Sequence, residues 1–268
     1  MLLDGVFVPV PTPFYGDGRL YLKKLEHNVE RYSRTPVAGL VVLGPLAEAD
    51  SLNDEERRQV LSAAAKTAAL EKVLIAGVSR ESVRETVELS RFAAEANYDA
   101  ALVGTPLTLS QRVGNEHPEL LAYFRGVADV SPLPVVIWDR IPSYPLPINV
   151  IAALAKHPNI IGVVGGGDVR SATSEIKREV TVTTTFTAAT SRMLAPAEDA
   201  ASGATFIQAD LLGSGAAIAV APPKPALKTR TKEVGFQILT STTPGMIAGF
   251  EQGATGSIPG LAASAPQA

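Results

Sequence analysis

Few groups in this chain could do covalent chemistry, and their spacing narrows the choice. Asp139 could serve as a general acid or base, or simply pair with its neighbour Arg140. Thr108 and Tyr144 bring hydroxyls that could donate a hydrogen bond or pass a proton. Gly165-Gly166-Gly167 could turn backbone N–H groups toward an anion, or form only a loose loop. Lys66, Lys72, Lys156, Lys177, Lys224, Lys228 and Lys232 are among the lysines that could bring an amine nucleophile. Lys66 and Lys156 fall in helical runs, and Lys72 precedes a strand. His27, His117 and His157 lie far apart, each in or beside a helical run. None has a spacing such as HExxH, so no metal site is expected. No Gly-rich loop ends in Lys-Ser/Thr and no GxSxG occurs. With no cysteine, disulfides, thiolate ligands and a thiol nucleophile are excluded. No cofactor is expected.

The totals exclude further classes. Lys and Arg number 24 against 27 Asp and Glu, a net charge of -3, with no basic run to follow a phosphate backbone, so nucleic acid is not an expected partner. Met1-Leu2-Leu3-Asp4 lacks the basic and apolar regions of a signal peptide, and no apolar run reaches membrane-spanning length. These features, with the lack of cysteine, predict a cytoplasmic protein that does not enter a membrane. The apolar share, 46%, is enough for a sizeable core.

The elements that must position these residues alternate. Val6–Val10 reads as a strand and Leu20–Tyr32 as a helix, with Leu22, Leu25 and Val29 at helical spacing. Strand-like runs follow at 39–43, 73–78, 100–103, 135–138 and 160–164. Helical runs separate them, one beginning at Asn53 and others at 82–96, 118–130 and 148–156. Asn53 with Glu56 three residues on is a capping-box signature. Continuously apolar strands separated by helices predict a parallel sheet with both faces covered. Chain length, and the lack of GxGxxG after the first strand, favour a closed (β/α)8 barrel over an open doubly wound sheet. The chain reads as one domain, 1–268. The alternation breaks near Glu179, and 180–232 reads as an irregular insertion, with a strand at 180–186, a poor helix at 191–201 and a stiff Pro222-Pro223-Lys224-Pro225 linker. Regular elements resume with strands at 236–240 and 256–262 around a helix at 244–252. A closing helix would be due where the chain stops, so either apolar surface near the last strand is covered by the insertion or by another subunit, or the chain is truncated.

Several of these segments resemble one family. Gly5-Val6-Phe7-Val8-Pro9-Val10-Pro11-Thr12-Pro13-Phe14, with Asp17-Gly18, is similar to the first strand of the dihydrodipicolinate synthase / N-acetylneuraminate lyase family. Val37 to Gly44, then Glu48, Leu52 and Glu55-Glu56-Arg57, resemble its second strand, its Gly-Thr-Thr-Gly-Glu loop and the following helix. Leu74–Val78, Thr105-Pro106, Leu133–Ile137, Asn159–Val163 and Gly253–Ile258 resemble later strands in the right order. The likeness covers roughly 1–178 and 233–268. It implies a (β/α)8 barrel and a class I aldolase or lyase that holds pyruvate, or another 2-oxo acid, as a Schiff base on a lysine.

Carried onto this sequence, the resemblance sets the lysine position at Val164, which has no amine. The tyrosine that relays protons falls on Trp138 or on Asp139, depending on where one extra residue is placed before Pro142. The carboxylate loop reads Gly44-Pro45-Leu46-Ala47-Glu48, without either threonine hydroxyl, and Pro45 also removes an N–H donor. Glu48, Thr12 and Ile258 match the family. Thr108 stands where an aromatic hydroxyl is frequent, and Tyr144 near an arginine that takes the second substrate. Three readings follow. The first is a barrel that has lost the Schiff-base chemistry and binds a small acid or a partner. The second is an active lyase or aldolase acting on a 2-oxo acid such as pyruvate through a relocated nucleophile. The third is a different enzyme using Asp139, Thr108 or Tyr144. The altered lysine, threonine and tyrosine positions favour the first. A homo-oligomer is implied by the family's habit.

Overall fold

The computed structural model describes residues 3–110, 117–141, 145–165, 176, 184–187 and 231–267. In chain order the strands are β1 (Gly5–Pro9), β2 (Gly39–Val42), β3 (Val73–Gly77), β4 (Ala100–Gly104), β5 (Val135–Trp138), β6 (Ile160–Gly165), β7 (Thr184–Thr187), β8 (Thr231–Val234), β9 (Gln237–Thr240) and β10 (Gly256–Ser257). The α-helices are α1 (Leu22–Ser33), α2 (Asp54–Thr67), α3 (Val83–Glu95), α4 (Leu107–Ser110), α5 (Pro118–Val130), α6 (Ile148–Leu154) and α7 (Met246–Glu251). Eight strands close a parallel barrel in the order β1-β10-β9-β6-β5-β4-β3-β2. This is the expected (β/α)8 architecture. β7 and β8 pair antiparallel with each other and stand outside that ring. β6 bonds directly to β9, so the ring closes without them.

Local chemistry explains the elements. Along β2, Val41 faces the barrel interior while Leu40 and Val42 face the helices, so every position is apolar. α2 begins at the capping box read from the sequence: Asn53 accepts from the Glu56 N–H, and Glu56 accepts from the Asn53 N–H. Asp54, Glu55 and Glu56 in its first turn complement the helix dipole. Ser82 caps α3 and Pro118 opens α5.

The interior is a solid plug of Leu3, Phe7, Val41, Ile75, Leu102 and Val164, among others. A second layer, between barrel and helices, contains Leu40, Leu61, Phe124 and Val163. Burying each such large side chain is worth roughly 1.5–3 kcal/mol. β6 carries a bulge: Val135 pairs Ile160, while Val136 pairs Gly162. Gly162 is needed there, because a Cβ would sit 2.6 Å from the Gln237 carbonyl oxygen.

The last strand is shorter than the sequence suggests. The expected run 256–262 is β10 alone, followed by a 3-10 turn at Gly260–Ala263. Pro259 removes a ladder N–H and ends the strand. Tyr32 donates to the Ala263 carbonyl at 2.7 Å and ties this turn to α1. The expected strand at 180–186 coincides in part with β7. The expected helix at 191–201 and the Pro222–Pro225 linker lie outside the described residues.

Candidate functional site

A cavity of about 290 Å³ opens at the C-terminal end of the strands, where barrel chemistry is found. One wall is the loop after β2, and the facing wall is Ser79, Trp138 and Arg140. That loop is strained. Leu43, Leu46 and Glu48 have φ of 57°, 70° and 49°, left-handed values that side chains avoid. Such residues cost about 1–3 kcal/mol each and persist where surrounding structure holds them. Here Ala47 is fully buried and donates to the Gly44 carbonyl at 3.2 Å, and a 3-10 turn follows at Ala49–Ser51.

Arg140 ties the mouth together. Its side chain is 8% exposed. Nε donates to the Thr105 carbonyl at 2.9 Å, Nη1 lies 3.2 Å from Asp50 Oδ2, and Nη2 lies 3.5 Å from Glu81 Oε1. Gly104 makes room for it: a Cβ there would lie 2.8 Å from Arg140 Cδ. Glu81 in turn accepts from the Leu107 and Thr108 N–H groups at 2.9 and 3.1 Å and from the Thr108 hydroxyl at 2.8 Å. Burial pushes the Glu81 carboxyl up, but these donors and Arg140 hold it below its ordinary value. One guanidinium thus joins the loops after β2, β3, β4 and β5.

Arg57 is the second cation in the cavity wall. It is 3% exposed, and its Nε donates to the Leu52 carbonyl at 3.1 Å. Burial and the neighbouring Arg80 lower its pKa, but a guanidinium stays charged at any ordinary pH.

A model of the dihydrodipicolinate synthetase family matches residues 2–206, most of the chain. The chain belongs to that family. The family match extends past Glu179, into the stretch between the two blocks of the motif-by-motif resemblance, and stops before the second block. A 4-hydroxy-tetrahydrodipicolinate synthase of Methanothrix thermoacetophila is 33% identical over 60% of this chain and 54% of its own length. An L-threo-3-deoxy-hexylosonate aldolase of Hypocrea jecorina is 32% identical over 59% of this chain and 52% of its own length. The chain therefore spans about half the length of these curated relatives. Among solved structures, a prophage protein of the dihydrodipicolinic acid synthase family from E. coli K12, in complex with pyruvate, superposes with a TM-score of 0.71 at 22% identity. That superposition covers 100% of this chain and 73% of the other, and at that identity it speaks for the fold.

Within this family fold the residues singled out above take different places. Val164, at the end of β6, is fully buried in the interior plug, with Trp138 and Leu239 as its strand neighbours. Trp138 is half-buried, packs against the plug and borders the cavity. Asp139 does not pair with Arg140. Its N–H donates to the Val164 carbonyl at 2.9 Å, and its Oδ1 accepts from the Leu146 N–H at 3.2 Å. Burial raises the Asp139 pKa, with the Leu146 donor opposing. Gly44, Pro45, Leu46 and Glu48 all border the cavity, Leu46 and Glu48 being exposed. Thr12 is buried, and its hydroxyl has no partner among the described residues. The Thr108 hydroxyl spends its proton on Glu81 and has none left to donate to a ligand. Ile258 is buried in the plug, and its N–H is taken by the Thr240 carbonyl at 2.8 Å. Tyr144 and Gly166-Gly167 lie outside the described residues.

Lys23, Lys24, Lys66, Lys72 and Lys156 do not line the cavity. Lys66 belongs to α2 and Lys156 follows α6. Lys72 precedes β3, at the opposite end of the barrel, and donates to the Thr35 and Val37 carbonyls. His157 pairs with Asp129 at 2.9 Å, and its Nδ1 accepts the Asn159 N–H, a structural role.

Sequence reasoning missed Arg57, Arg140 and Glu81 as site residues. Arg57 left a signal: with Val60, Leu61 and Ala64 it lies at i, i+3, i+4 and i+7, a charge on the apolar stripe of α2. The partners of Arg140 leave none, since they stand far from it in the chain.

Proposed function

We propose that this chain is a dihydrodipicolinate synthetase family barrel that has given up Schiff-base chemistry and holds a small acid, or a partner chain, without a covalent bond. The observation that carries this is the buried valine at the inward end of β6. A Schiff base needs a primary amine there, and a hydrocarbon branch supplies neither nucleophile nor proton. The loop that would grip a 2-oxo acid carboxylate offers proline and leucine in place of threonines, which supports the same reading. Each lost charge-assisted hydrogen bond forfeits about 1.5–3 kcal/mol. On this reading the protein is a cytoplasmic homo-oligomer, and residues 180–232 are an insertion in a single barrel domain.

The test is reduction with borohydride in the presence of pyruvate, followed by intact mass and peptide mapping. The reading expects no adduct on any lysine. The names of the relatives, a synthase and an aldolase, favour a second reading, in which pyruvate or another 2-oxo acid is processed through a relocated amine. That reading expects a mass gain on Lys177, Lys224, Lys228 or Lys232, and such a gain overturns the first.

A further inference from the structure

Three guanidiniums crowd the mouth of the barrel, and they are not equally compensated. Arg80 lies 3.0 Å from Asp54, and Arg140 lies 3.2 Å from Asp50. Arg57, the most deeply buried of the three, has neither contact. Its Nε is spent on the Leu52 carbonyl, and its two terminal nitrogens have no hydrogen-bond or ion-pair partner among the described residues. Asp50 and Asp54 act on it only at longer range, while Arg80 and Arg140 add like charge. A charge held out of water without a close counter-charge is costly to the fold, and this one borders an open cavity.

We propose that the mouth cavity is an anion site, in which a carboxylate or phosphate group seats on the free edge of Arg57 with Arg140 as the second cation. Asp50 is the built-in competitor. Its side chain is 67% exposed, so it can swing into water when an incoming anion takes its place on Arg140. The planar fork of a guanidinium matches two oxygens of either group. The volume of about 290 Å³ admits a small molecule only, and Pro45, Leu46 and Trp138 offer apolar surface to the rest of it. The anchor is therefore the helix α2 arginine rather than the hydroxyl-poor loop after β2. The inference rests on the reading above only in taking the ligand as held without a covalent bond.

Isothermal titration of the full chain with succinate, benzoate and inorganic phosphate, at matched ionic strength, tests it. At least one should bind saturably with one site per chain, and the three arms separate a carboxylate from a phosphate preference. Arg57→Lys keeps the charge but loses the fork, and should weaken binding about tenfold or more. Asp50→Asn, at an exposed side chain that leaves the fold intact, should tighten binding several-fold by removing the competitor. Absence of saturable binding for all three probes overturns the proposal, as does an Asp50→Asn variant that binds no tighter than the native chain. If Arg57→Lys fails to fold, the Asp50→Asn comparison decides. None of the probes carries a keto group, so none can form a Schiff base. Failure here leaves the borohydride result untouched, and an adduct there removes only the premise of non-covalent holding, while saturable binding of these probes still reports the anion site.

Discussion

Replacing Val164 with lysine would both probe the interior and restore the missing chemistry. Val164 has no exposed surface and is enclosed by apolar neighbours from several strands. A lysine in such surroundings has its pKa depressed by roughly 3–5 units. At about 1.36 kcal/mol per unit, keeping the ammonium charged costs roughly 4–7 kcal/mol. The larger side chain adds about 1–3 kcal/mol of overpacking. Against a total stability of about 5–15 kcal/mol, Val164→Lys should be severely destabilised at neutral pH. The sign of the pH dependence is fixed: the folded state binds the proton less tightly than the unfolded state. The penalty is therefore complete below the depressed folded pKa and fades as pH rises toward the ordinary lysine value. Urea denaturation from neutral to alkaline pH would show the midpoint climbing in the variant relative to the native chain. Near neutrality a fraction of the amine is unprotonated, so the variant, unlike the native chain, should gain mass with pyruvate and borohydride. A variant with native stability and a lysine titrating in its ordinary range would refute the reasoning, because position 164 would then face water.

Three other outcomes follow from the mouth. Gly104→Ala places a Cβ 2.8 Å from Arg140 Cδ and 3.0 Å from Ser79 Oγ; displacing Arg140 should cost about 1–3 kcal/mol in thermal unfolding. Because Arg140 stands 6.0 Å from the ring of Trp138, the chain's single tryptophan, fluorescence should shift as well. Glu81→Gln removes a carboxylate held below its usual value, whose stabilisation is present at neutral pH and lost as pH falls through the folded pKa. The expected loss at neutral pH is about 1–2 kcal/mol after allowing for exposure, with a flatter acid limb in denaturation. Asp139 has a raised pKa, so the native chain loses stability as pH rises from the ordinary aspartate value through the raised one. Asp139→Asn keeps an acceptor for the Leu146 N–H and should gain on the native chain above that window, with the slope gone from chemical denaturation.

The barrel was legible because its signals are local. Continuous apolar strands, the Asn53–Glu56 box and the helical stripe of Leu25 and Val29 each declare an element within a few residues, and their alternation declares the topology. Ends were less legible: 256–262 read as strand because its composition suits one, yet Pro259 cannot donate and the chain turns. The inward position at Val164 came from resemblance, since no local rule says which residue of an apolar strand points inside. The charged mouth was hardest. Asp139 and Arg140 are adjacent and of opposite sign, yet Asp139 turns to the Leu146 N–H and Arg140 to partners far off in the chain. Arg140 meets Asp50 across 90 residues, a pairing no short window can hold. Only Arg57 announced itself, as a cation among helix positions that otherwise face the core.

The bulge in β6 has a consequence for phase. A strand shows alternate side chains to alternate sides, and Ile160 and Val163 both belong to the outer layer while Ile161 and Val164 belong to the inner one. One inserted residue resets that alternation midway. Pair the strand straight through without that irregularity, and strict alternation from Ile161 would turn Val163 inward instead. Two adjacent, identical side chains compete for the spot that matters most, and a count of one settles which of them a relative's residue should be matched to.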